Sequence, residues 1–526
     1  MWFKSSLKIV TIILLLFSGF TSHATHLLGG YMNYEFLNVN STNGDYRYKI
    51  TFHVYRDCSG QVELDDRITL GVYLNDNNKS LNQQPVFNLV AKQRVQPPGS
   101  IDCDFYRKNV CIEYGLYEGI VSLKPYSEGY HITYTRCCRN VQNNIVQDGA
   151  MPSQGQTYYC FIPSTALKNS SPAFYGVPSP YMCVNDTNSF LFDAVDRDGD
   201  SLVYRFMRPY QGGSPASSSP SPSASLDTPL LRYKAGYTSL SPFGTNGYTF
   251  IDNQTGYTEL FSNQVGNFVV GVEVLEYRNG NLLGKIRMDL QIIVLNCIAN
   301  NIPNISSSKG QRFEIEAGEE LCFNVVGKDP DDDNVKLSSR SEVFTTIPGT
   351  KATFKESVSD PINPTYEFCW TPDCDADRDQ PYNVYFTVED DGCPPKFNYL
   401  DVSIKVLPFE GAKVMTGPTT VCNLSSHIYT VLDGNASSSY EWDIFDGKFI
   451  GDSTTESVTA FWNAKSIGGM APYIRVREVS KNGCLGDWIE LSVAIEESPV
   501  ISDIIGKDTV CKEDIGLSYS VNDNPG

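Results

Sequence analysis

The sequence predicts an all-β chain of tandem β-sandwich domains in an elongated array, on three observations. Apolar and polar residues alternate at the two-residue period of a strand, and no long segment follows the 3.6-residue period of a helix. Glycine and proline, 41 and 29 of the 526 residues, separate these segments. Two long stretches in the middle of the chain also repeat one pattern, as tandem domains do.

The first 24 residues have the pattern of a signal peptide. Lys4 and Lys8 precede an apolar run at 9–17, and the small residues Ser22 and Ala24 suit cleavage after Ala24. This run is too short to span a bilayer, and no later stretch of about 18 apolar residues follows it. We therefore expect a secreted or cell-surface product without membrane insertion.

The overall charge indicates which classes of partner are favoured, and the cysteine content indicates whether disulfides form. A formal net charge of −20 disfavours nucleic acid and anionic membranes as partners and favours cation binding. The 15 cysteines of an exported chain predict disulfides, because the paired CxxC motifs of zinc sites are missing.

Residues 25–167 are predicted to form a disulfide-rich β domain that opens with strands at 30–39 and 46–58. Its cysteines allow many pairings, so their connectivity stays open. They are Cys58, Cys103, Cys111, Cys137, Cys138 and Cys160. A short loop favours a bridge between Cys103 and Cys111. In a strand, the adjacent Cys137 and Cys138 would point to opposite faces and take different partners.

Two domains predicted at 169–295 and 301–407 repeat one acidic pattern. The stretches FLFDAVDRDGDSLVYRF, from Phe190, and LCFNVVGKDPDDDNVKL, from Leu321, align three aspartates each, and a later strand of each copy ends near a further acid. The aligned acids are Asp196, Asp198, Asp200 and Glu276 in the first copy, and Asp329, Asp331, Asp333 and Asp390 in the second. A Ser/Pro-rich insert at 212–226 in the first copy is expected to be a loop or flexible spur.

These acids predict a metal site in each copy. Three carboxylates at alternate positions of a strand-to-turn segment repel one another, and calcium accepts carboxylate and carbonyl oxygens in flexible geometry. The alternative is a solvated acidic turn, since Asp, Asn and Gly favour turns without any ion. An EF-hand is excluded, because Ala194 and Arg205 would occupy its first and last ligand positions.

Cysteine positions predict bridges in the later domains as well. Cys183 and Cys297, near the two ends of the second domain, are expected to pair. Two bridges are expected within the third domain, among Cys322, Cys369, Cys374 and Cys393.

A different module is predicted at 416–497, with alternating strands separated by turns. Cys422 and Cys484 are expected to pair within it. Residues 498–526 repeat its opening, with Gly506 matching Gly417, and we expect them to start a second, truncated repeat whose Cys511 is a free thiol.

The motifs THLLGGYMNYEF, ITFHVYRDCSG, DAVDRDGDSL, FCWTPDC and VEDDGCP, followed by the GPTTVC, YEW and NGC module, resemble the N-terminal part of large secreted Bacteroidota surface proteins. Those proteins carry tandem PKD-like and immunoglobulin-like (cadherin-like) repeats of the gliding-motility-associated type. The resemblance implies type IX secretion machinery as a partner, if a C-terminal sorting domain lies beyond Gly526. It specifies architecture rather than chemistry, and the module departs from the PKD signature, which has Gly-Asp-Gly after its tryptophan.

No catalytic motif is found. The four histidines that follow Ala24 are scattered, and neither an HExxH nor a GxSxG motif is present. The interpretation is a non-catalytic extracellular protein that spaces, displays or adheres through its domains, stiffened by calcium and bound to an extracellular protein or glycan. The alternatives are an accessory region of a larger secreted hydrolase and a glycan-binding module at 25–167.

Overall fold

The computed structural model describes residues 27–60, 63–95, 111–147, 154–176, 180–214, 217–223, 225, 229–345, 349–463, 471–497 and 503–522. The expected signal peptide, 1–24, and Cys103 lie outside these residues. In the part of the chain that is described, no helix is both long and apolar enough to cross a membrane. The described residues form 35 strands and two short 3-10 helices, Thr165–Leu167 and Glu342–Phe344. The predicted all-β class is confirmed.

The first unit contains nine strands: β1 Leu27–Val39, β2 Tyr46–Asp57, β3 Arg67–Thr69, β4 Gly71–Leu74, β5 Leu81–Gln83, β6 Val86–Val95, β7 Ile112–Leu123, β8 Tyr130–Arg136 and β9 Gln156–Ile162. Strands β3-β6-β7-β2-β1 are neighbours in that order, as are β9-β8-β4-β5. Residues of β2 alternate between buried and half-buried, which places Ile50 and Phe52 in the core. The strands predicted at 30–39 and 46–58 are therefore confirmed.

The second unit is a sandwich of two layers. Its strands are β10 Ala173–Phe174, β11 Tyr181–Cys183, β12 Thr187–Leu191, β13 Ala194–Val195, β14 Ser201–Phe206, β15 Tyr248–Ile251, β16 Tyr257–Phe261, β17 Gly266–Arg278 and β18 Asn281–Leu295. One layer is β14-β17-β18-β11, in which β11 runs parallel to the end of β18, and the other is β12-β16-β15. Apolar side chains from both layers, among them Phe192, Leu260 and Val274, form its core.

The third unit repeats this plan. Its strands are β19 Asn304–Ser307, β20 Arg312–Glu316, β21 Leu321–Lys328, β22 Val335–Arg340, β23 Thr353–Val358, β24 Thr365–Trp370, β25 Tyr382–Asp390 and β26 Phe397–Leu407. The layer β22-β25-β26-β20 matches β14-β17-β18-β11, including the parallel pair at its edge. The second layer is β19-β21-β24-β23. The repeat seen in the sequence is thus one sandwich used twice.

The fourth unit has smaller sheets. Its strands are β27 Met415–Thr416, β28 Thr420–Cys422, β29 Ser426–Val431, β30 Ser439–Phe445, β31 Gly447–Ile450, β32 Ser457–Trp462, β33 Tyr473–Val479, β34 Ile489–Ser492 and β35 Ala494–Glu496. They pair as β27-β29-β32-β31, β30-β33-β34 and the parallel pair β28-β35. Its core is centred on Trp462 and Tyr429.

The arrangement of Gly417 beneath Tyr429 recurs near the C-terminal end. The Tyr429 hydroxyl donates to the carbonyl of Pro418 at 2.7 Å, and the Tyr519 hydroxyl donates to the carbonyl of Lys507 at 3.0 Å. In both places the ring covers a glycine, Gly417 or Gly506, that leaves no room for a Cβ. The local geometry therefore matches the repeat predicted from the sequence.

The first and second units share a continuous sheet across the limit expected between 167 and 169. Strand β1 pairs with β18 through Gly29 opposite Leu290, and β9 pairs with β18 through Cys160 opposite Ile286. A Cβ at Gly29 would lie 2.1 Å from the carbonyl oxygen of Asp289, and its φ of +154° also favours glycine. The close crossing of β1 and β18 thus requires this glycine.

Part of the Ser/Pro-rich insert also packs on the first unit. Ser223 is buried, its carbonyl accepts a hydrogen bond from the Tyr73 hydroxyl, and its hydroxyl donates to the carbonyl of Thr69 at 3.2 Å. The backbone N–H of Cys137 donates to the carbonyl of Ser218 at 2.7 Å. The expectation of a free spur is wrong for these residues, because their polar groups find partners in the neighbouring unit.

The predicted Cys183–Cys297 disulfide is confirmed, and one of the two bridges expected within the third unit is present. Cys183 is bonded to Cys297, across the second unit as expected. Cys322 is bonded to Cys369, which lies directly opposite it in the β21–β24 pair. The predicted free thiol at Cys511 is also confirmed, but Cys160, buried, and Cys422, exposed, are free as well.

Two predictions for the first unit are wrong. Cys111 is bonded to Cys58 rather than to Cys103, because Asp57 and Ile112 are paired and bring the ends of β2 and β7 together. Cys137 and Cys138 are bonded to each other. They follow the end of β8, so the alternation of a strand does not separate their side chains.

The bridges predicted around Cys374 and Cys484 are also wrong. Cys484 is bonded to Cys374 of the third unit and not to Cys422. Its side chain belongs to the core of the third unit, whereas Cys422 lies exposed on β28. The second bridge expected within the third unit is therefore replaced by one that joins the third and fourth units.

Candidate metal centre

The predicted acids form two clusters. The first cluster is Asp196, Asp198, Asp200 and Glu276, and the second cluster is Asp329, Asp331, Asp333 and Asp390. The three aspartates of the first cluster lie on the turn between β13 and β14, and those of the second lie between β21 and β22. The last acid comes from β17 in the first cluster and from β25 in the second.

The first aspartate of each trio organises its turn. Oδ1 of Asp196 accepts hydrogen bonds from the backbone N–H groups of Asp198 and Asp200, both at 3.0 Å. Oδ1 of Asp329 accepts the same two bonds, from Asp331 at 2.7 Å and Asp333 at 3.3 Å. Such bonds from an aspartate to the following backbone are the reason why this residue favours turns. The turn is therefore held in shape by its own hydrogen bonds, without help from an ion.

Both turns also need one residue with positive φ at the same position. This residue is Gly199, at +79°, in the first turn and Asp332, at +61°, in the second. Glycine adopts this conformation freely, and Asp is one of the few other residues that tolerate it. The two turns thus have the same backbone path with different residues.

The alignment of Glu276 with Asp390 agrees with the strand register. Leu202, two residues after the trio, lies opposite Glu276, and Val335, two residues after the other trio, lies opposite Asp390. The pairing with the neighbouring strand therefore places the fourth acid of each cluster beside its turn.

The segment that leads into each unit supplies further residues, which sequence reasoning missed. The backbone N–H of Ser170 donates to Oδ2 of Asp198 at 2.7 Å, and that of Asn301 donates to Oδ2 of Asp331 at 2.8 Å. Nδ2 of Asn169 donates to Oε1 of Glu276 at 2.6 Å, and Nδ2 of Asn300 donates to Oδ1 of Asp390 at 3.1 Å. The only sequence signal is an asparagine at the start of each copy.

Each cluster contains buried carboxylate oxygens without a hydrogen-bond partner in the described part of the chain. They are Oδ2 of Asp196 and Oε2 of Glu276 in the first cluster, and Oδ2 of Asp329 and of Asp390 in the second. Asp329 and Glu276 are fully buried, at 0% exposure. Buried polar atoms are nearly always paired, so these four oxygens indicate a missing partner such as a cation.

Burial and the close approach of the carboxylates raise the pKa values of several of these acids. Burial, together with the neighbouring Asp200 and Asp198, raises the pKa of Asp196 to about 7. Burial, together with Asp196, also raises the pKa of Glu276 well above its usual range. In the second cluster, burial raises the pKa of Asp390 to about 6, with Asp329 contributing. A bound cation would hold these groups ionised at neutral pH.

The oxygen spacing fits one ion. Asp196, Asp200 and Glu276 each offer an oxygen within 4.8 Å of the others, and so do Asp329, Asp331 and Asp333. Calcium–oxygen bonds are about 2.4 Å, so oxygens about 4.8 Å apart can share one ion. Asp198 and Asp390 stand outside these two groups. Asp198 faces Ser170 and Arg278, and one oxygen of Asp390 is held by the backbone of Gly392 and Lys396.

Arg278 is a further residue that sequence reasoning missed. Its guanidinium forms ion pairs with Asp200, at 2.6 Å, and with Asp198, at 3.3 Å, both measured from Nη2 to Oδ2. It follows Glu276 by two residues on β17, and its pattern in the sequence did not distinguish it from other surface arginines.

The first cluster borders a cleft of about 380 Å³ between the second and third units. Its lining includes Tyr175, Asp196, Asp200, Arg312, Arg378 and Tyr385. Beside it, Arg340 forms an ion pair at 2.7 Å with the buried Asp193 of the second unit. The two middle units are therefore in direct polar contact close to the first cluster.

The described histidines lie away from both clusters. Burial lowers the pKa of His53 and of His131 to about 4, so both are neutral at pH 7. Nδ1 of His53 contacts the Tyr114 hydroxyl at 2.8 Å, and Nε2 of His131 contacts Oδ1 of Asn75 at 2.9 Å. These contacts hold each ring in its sheet.

No family model and no curated protein matches the chain. Among solved structures, mouse PcdhgC3 EC1-3 aligns at 14% identity over 48% of this chain and 86% of that one, with a TM-score of 0.19. Drosophila N-cadherin EC1-4 aligns at 11% identity over 83% and 94%, also with a TM-score of 0.19. The tandem Ig repeats of Dlar align at 12% identity over 37% and 98%, with a TM-score of 0.16. These values are too low to assign a family or a function.

Proposed function

We propose that the chain is a non-catalytic extracellular surface protein that spaces, displays or adheres through its tandem β-sandwich domains, with bound calcium stiffening its middle part. The observation that carries the proposal is the pair of acidic clusters, each with buried, unpartnered oxygens and each bonded to the segment that leads into its unit. The partner is an extracellular protein or glycan.

Disulfide bonding supports the extracellular assignment. Cys183–Cys297 and Cys374–Cys484 join residues 114 and 110 positions apart, and the second bridge joins two units. Disulfides persist in oxidising compartments and are rare where thiols are kept reduced. The signal-peptide pattern and the resemblance to secreted Bacteroidota surface proteins point the same way.

The stiffening follows from where the clusters lie. Asn300 and Asn301 belong to the short segment between β18 and β19, and both bond to acids of the second cluster. An ion held by the cluster fixes those acids, and the acids in turn fix the segment that joins two units. Calcium thereby reduces the freedom of one unit relative to the next.

Surface display is tested with protease applied to intact producing cells. We expect the chain to be degraded from outside, while a cytoplasmic marker protein stays intact. A chain that resists the protease on intact cells, is absent from the medium and is degraded only after lysis contradicts the extracellular assignment. Incubation of the secreted chain with glycan and cell-surface protein arrays then identifies the partner class.

A further inference from the structure

The two clusters differ at one equivalent position, two residues after the fourth acid. In the first cluster this position is Arg278, the last residue of β17, and in the second it is Gly392. A Cβ at Gly392 would lie 2.8 Å from Oδ2 of Asp333 and 2.3 Å from Nδ2 of Asn300, so this position also faces its cluster.

Arg278 forms hydrogen bonds with two carboxylates of the first cluster. Nε donates to Oδ1 of Asp200 at 2.7 Å and Nη2 donates to Oδ2 of the same residue at 2.6 Å, which uses both oxygens in a fork. Nη2 also contacts Oδ1 of Asn169 at 2.7 Å and Oδ2 of Asp198 at 3.3 Å. The guanidinium thus binds both carboxylate oxygens of Asp200, one of the three acids of this cluster whose oxygens could share a metal ion.

Within the part of the chain that the structure describes, the second cluster has no such cation. Among the described residues, no lysine or arginine forms an ion pair with any of its four aspartates, and Gly392 contributes only its backbone N–H, which donates to Oδ1 of Asp390 at 3.0 Å. The buried Oδ2 atoms of Asp329 and Asp390 are without partners. Four carboxylates therefore meet without an internal counter-charge.

We infer that Arg278 is a resident cation that replaces a metal ion in the first cluster, so that only the second cluster binds calcium. Calcium takes six to eight oxygen ligands. With both oxygens of Asp200 bound to Arg278, the first cluster is left with Asp196 and Glu276 as its buried donors. The inference rests on the proposed function, because it says which of the two clusters carries the calcium.

The test is the number of calcium ions bound by the secreted chain, measured by equilibrium dialysis and by calorimetric titration. The wild-type chain is expected to bind one ion, and Asp331→Asn to abolish that binding. Arg278→Gly, which installs the residue of the second copy, is expected to bind two ions. Adding Asp200→Asn to Arg278→Gly is expected to return the number to one, because Asp200 is one of the three acids whose oxygens can share an ion. Asp360, whose carboxylate caps an acidic turn outside both clusters, provides the control variant Asp360→Asn.

The outcomes separate the inference from the proposed function. Two ions in the wild-type chain, or one ion in a folded Arg278→Gly chain, overturn the role of Arg278 and leave calcium binding intact. A wild-type chain that binds no calcium contradicts the calcium part of the proposed function itself. Circular dichroism confirms folding of each variant, and Arg278→Gln, which removes the charge but keeps a long polar side chain, serves if Arg278→Gly does not fold.

Discussion

Asn301 clasps the carboxylate of Asp331 with two hydrogen bonds, from its backbone N–H to Oδ2 at 2.8 Å and from Nδ2 to Oδ1 at 2.7 Å. These bonds lower the pKa of Asp331 and keep it ionised. Asn301 lies just before β19, so the acidic turn of the third unit is bonded to the segment that arrives from the second. The same bond joins Ser170 to Asp198 one unit earlier. Metal binding and the connection between units thus depend on the same residues.

Acidification should destabilise the chain through His53. Its pKa is about 4 in the folded state, because of burial, and about 6.5 when unfolded. The unfolded state therefore binds more protons between these values, so stability is present above pH 6.5 and is lost as the pH falls towards 4. The loss from this group is about 3 kcal/mol.

Urea unfolding at a series of pH values tests this prediction, with His53→Phe as the comparison. Phenylalanine does not titrate and can keep the ring stack with Tyr31, whose centroid is 4.3 Å from that of His53. Wild type should lose stability relative to the variant as the pH falls from 6.5 to 4. A difference that does not change with pH shows that His53 is not protonated on unfolding.

The disulfide between the third and fourth units should contribute more to the free energy of unfolding than any other single interaction between them. Cys374 and Cys484 close a loop of 110 residues, for which chain entropy predicts about 5 kcal/mol. Cys484→Ser should lower stability by that order, whereas Cys422→Ser, at an exposed free thiol, should have little effect. Denaturant unfolding of both variants checks this. Equal losses in the two variants favour the Cys422–Cys484 bridge expected from the sequence.

The sheet shared by the first and second units should depend on Arg139. Its Nη1 donates to Oδ1 of the buried Asp289 on β18 at 2.7 Å, and its Nε donates to the carbonyl of Gly155 at 3.0 Å. Arg139→Met leaves a buried carboxylate without its partner, which costs about 3–5 kcal/mol. Arg197→Met breaks the exposed ion pair with Glu35 and should cost about 1 kcal/mol or less. Thermal unfolding compares the two, and equal effects contradict a structural role for Arg139.

What the sequence predicts well is local. The two-residue period predicts the strands, and the turn preferences of Asp and Gly predict the acidic turns, because both depend on neighbours along the chain. The strand positions of Cys322 and Cys369 belong to the same class, whereas the sequence leaves their pairing with each other open.

What the sequence does not predict comes from contacts between distant segments. Asn169 precedes the acidic turn of the first cluster by 27 residues, and Arg278 lies 78 residues after Asp200, so neither contact with that turn is visible in the local sequence. Cys484 bonds outside its own unit because its turn faces the third unit. The long β18 is paired with β17 along one edge, and its other edge pairs with β1 at Leu290 and Asp289, which periodicity alone does not reveal.

Calcium binding is tested most directly by the melting temperature of the secreted chain in calcium, in magnesium and in chelator at matched ionic strength. Calcium that binds only the folded state stabilises it by about 2.7 kcal/mol at a hundredfold excess over Kd, and magnesium should do much less because it requires tighter octahedral geometry. We expect a higher melting temperature in calcium, lost in Asp331→Asn and kept in the control Asp360→Asn. Identical melting curves in calcium and in chelator would contradict the account and leave both clusters as ordinary acidic turns.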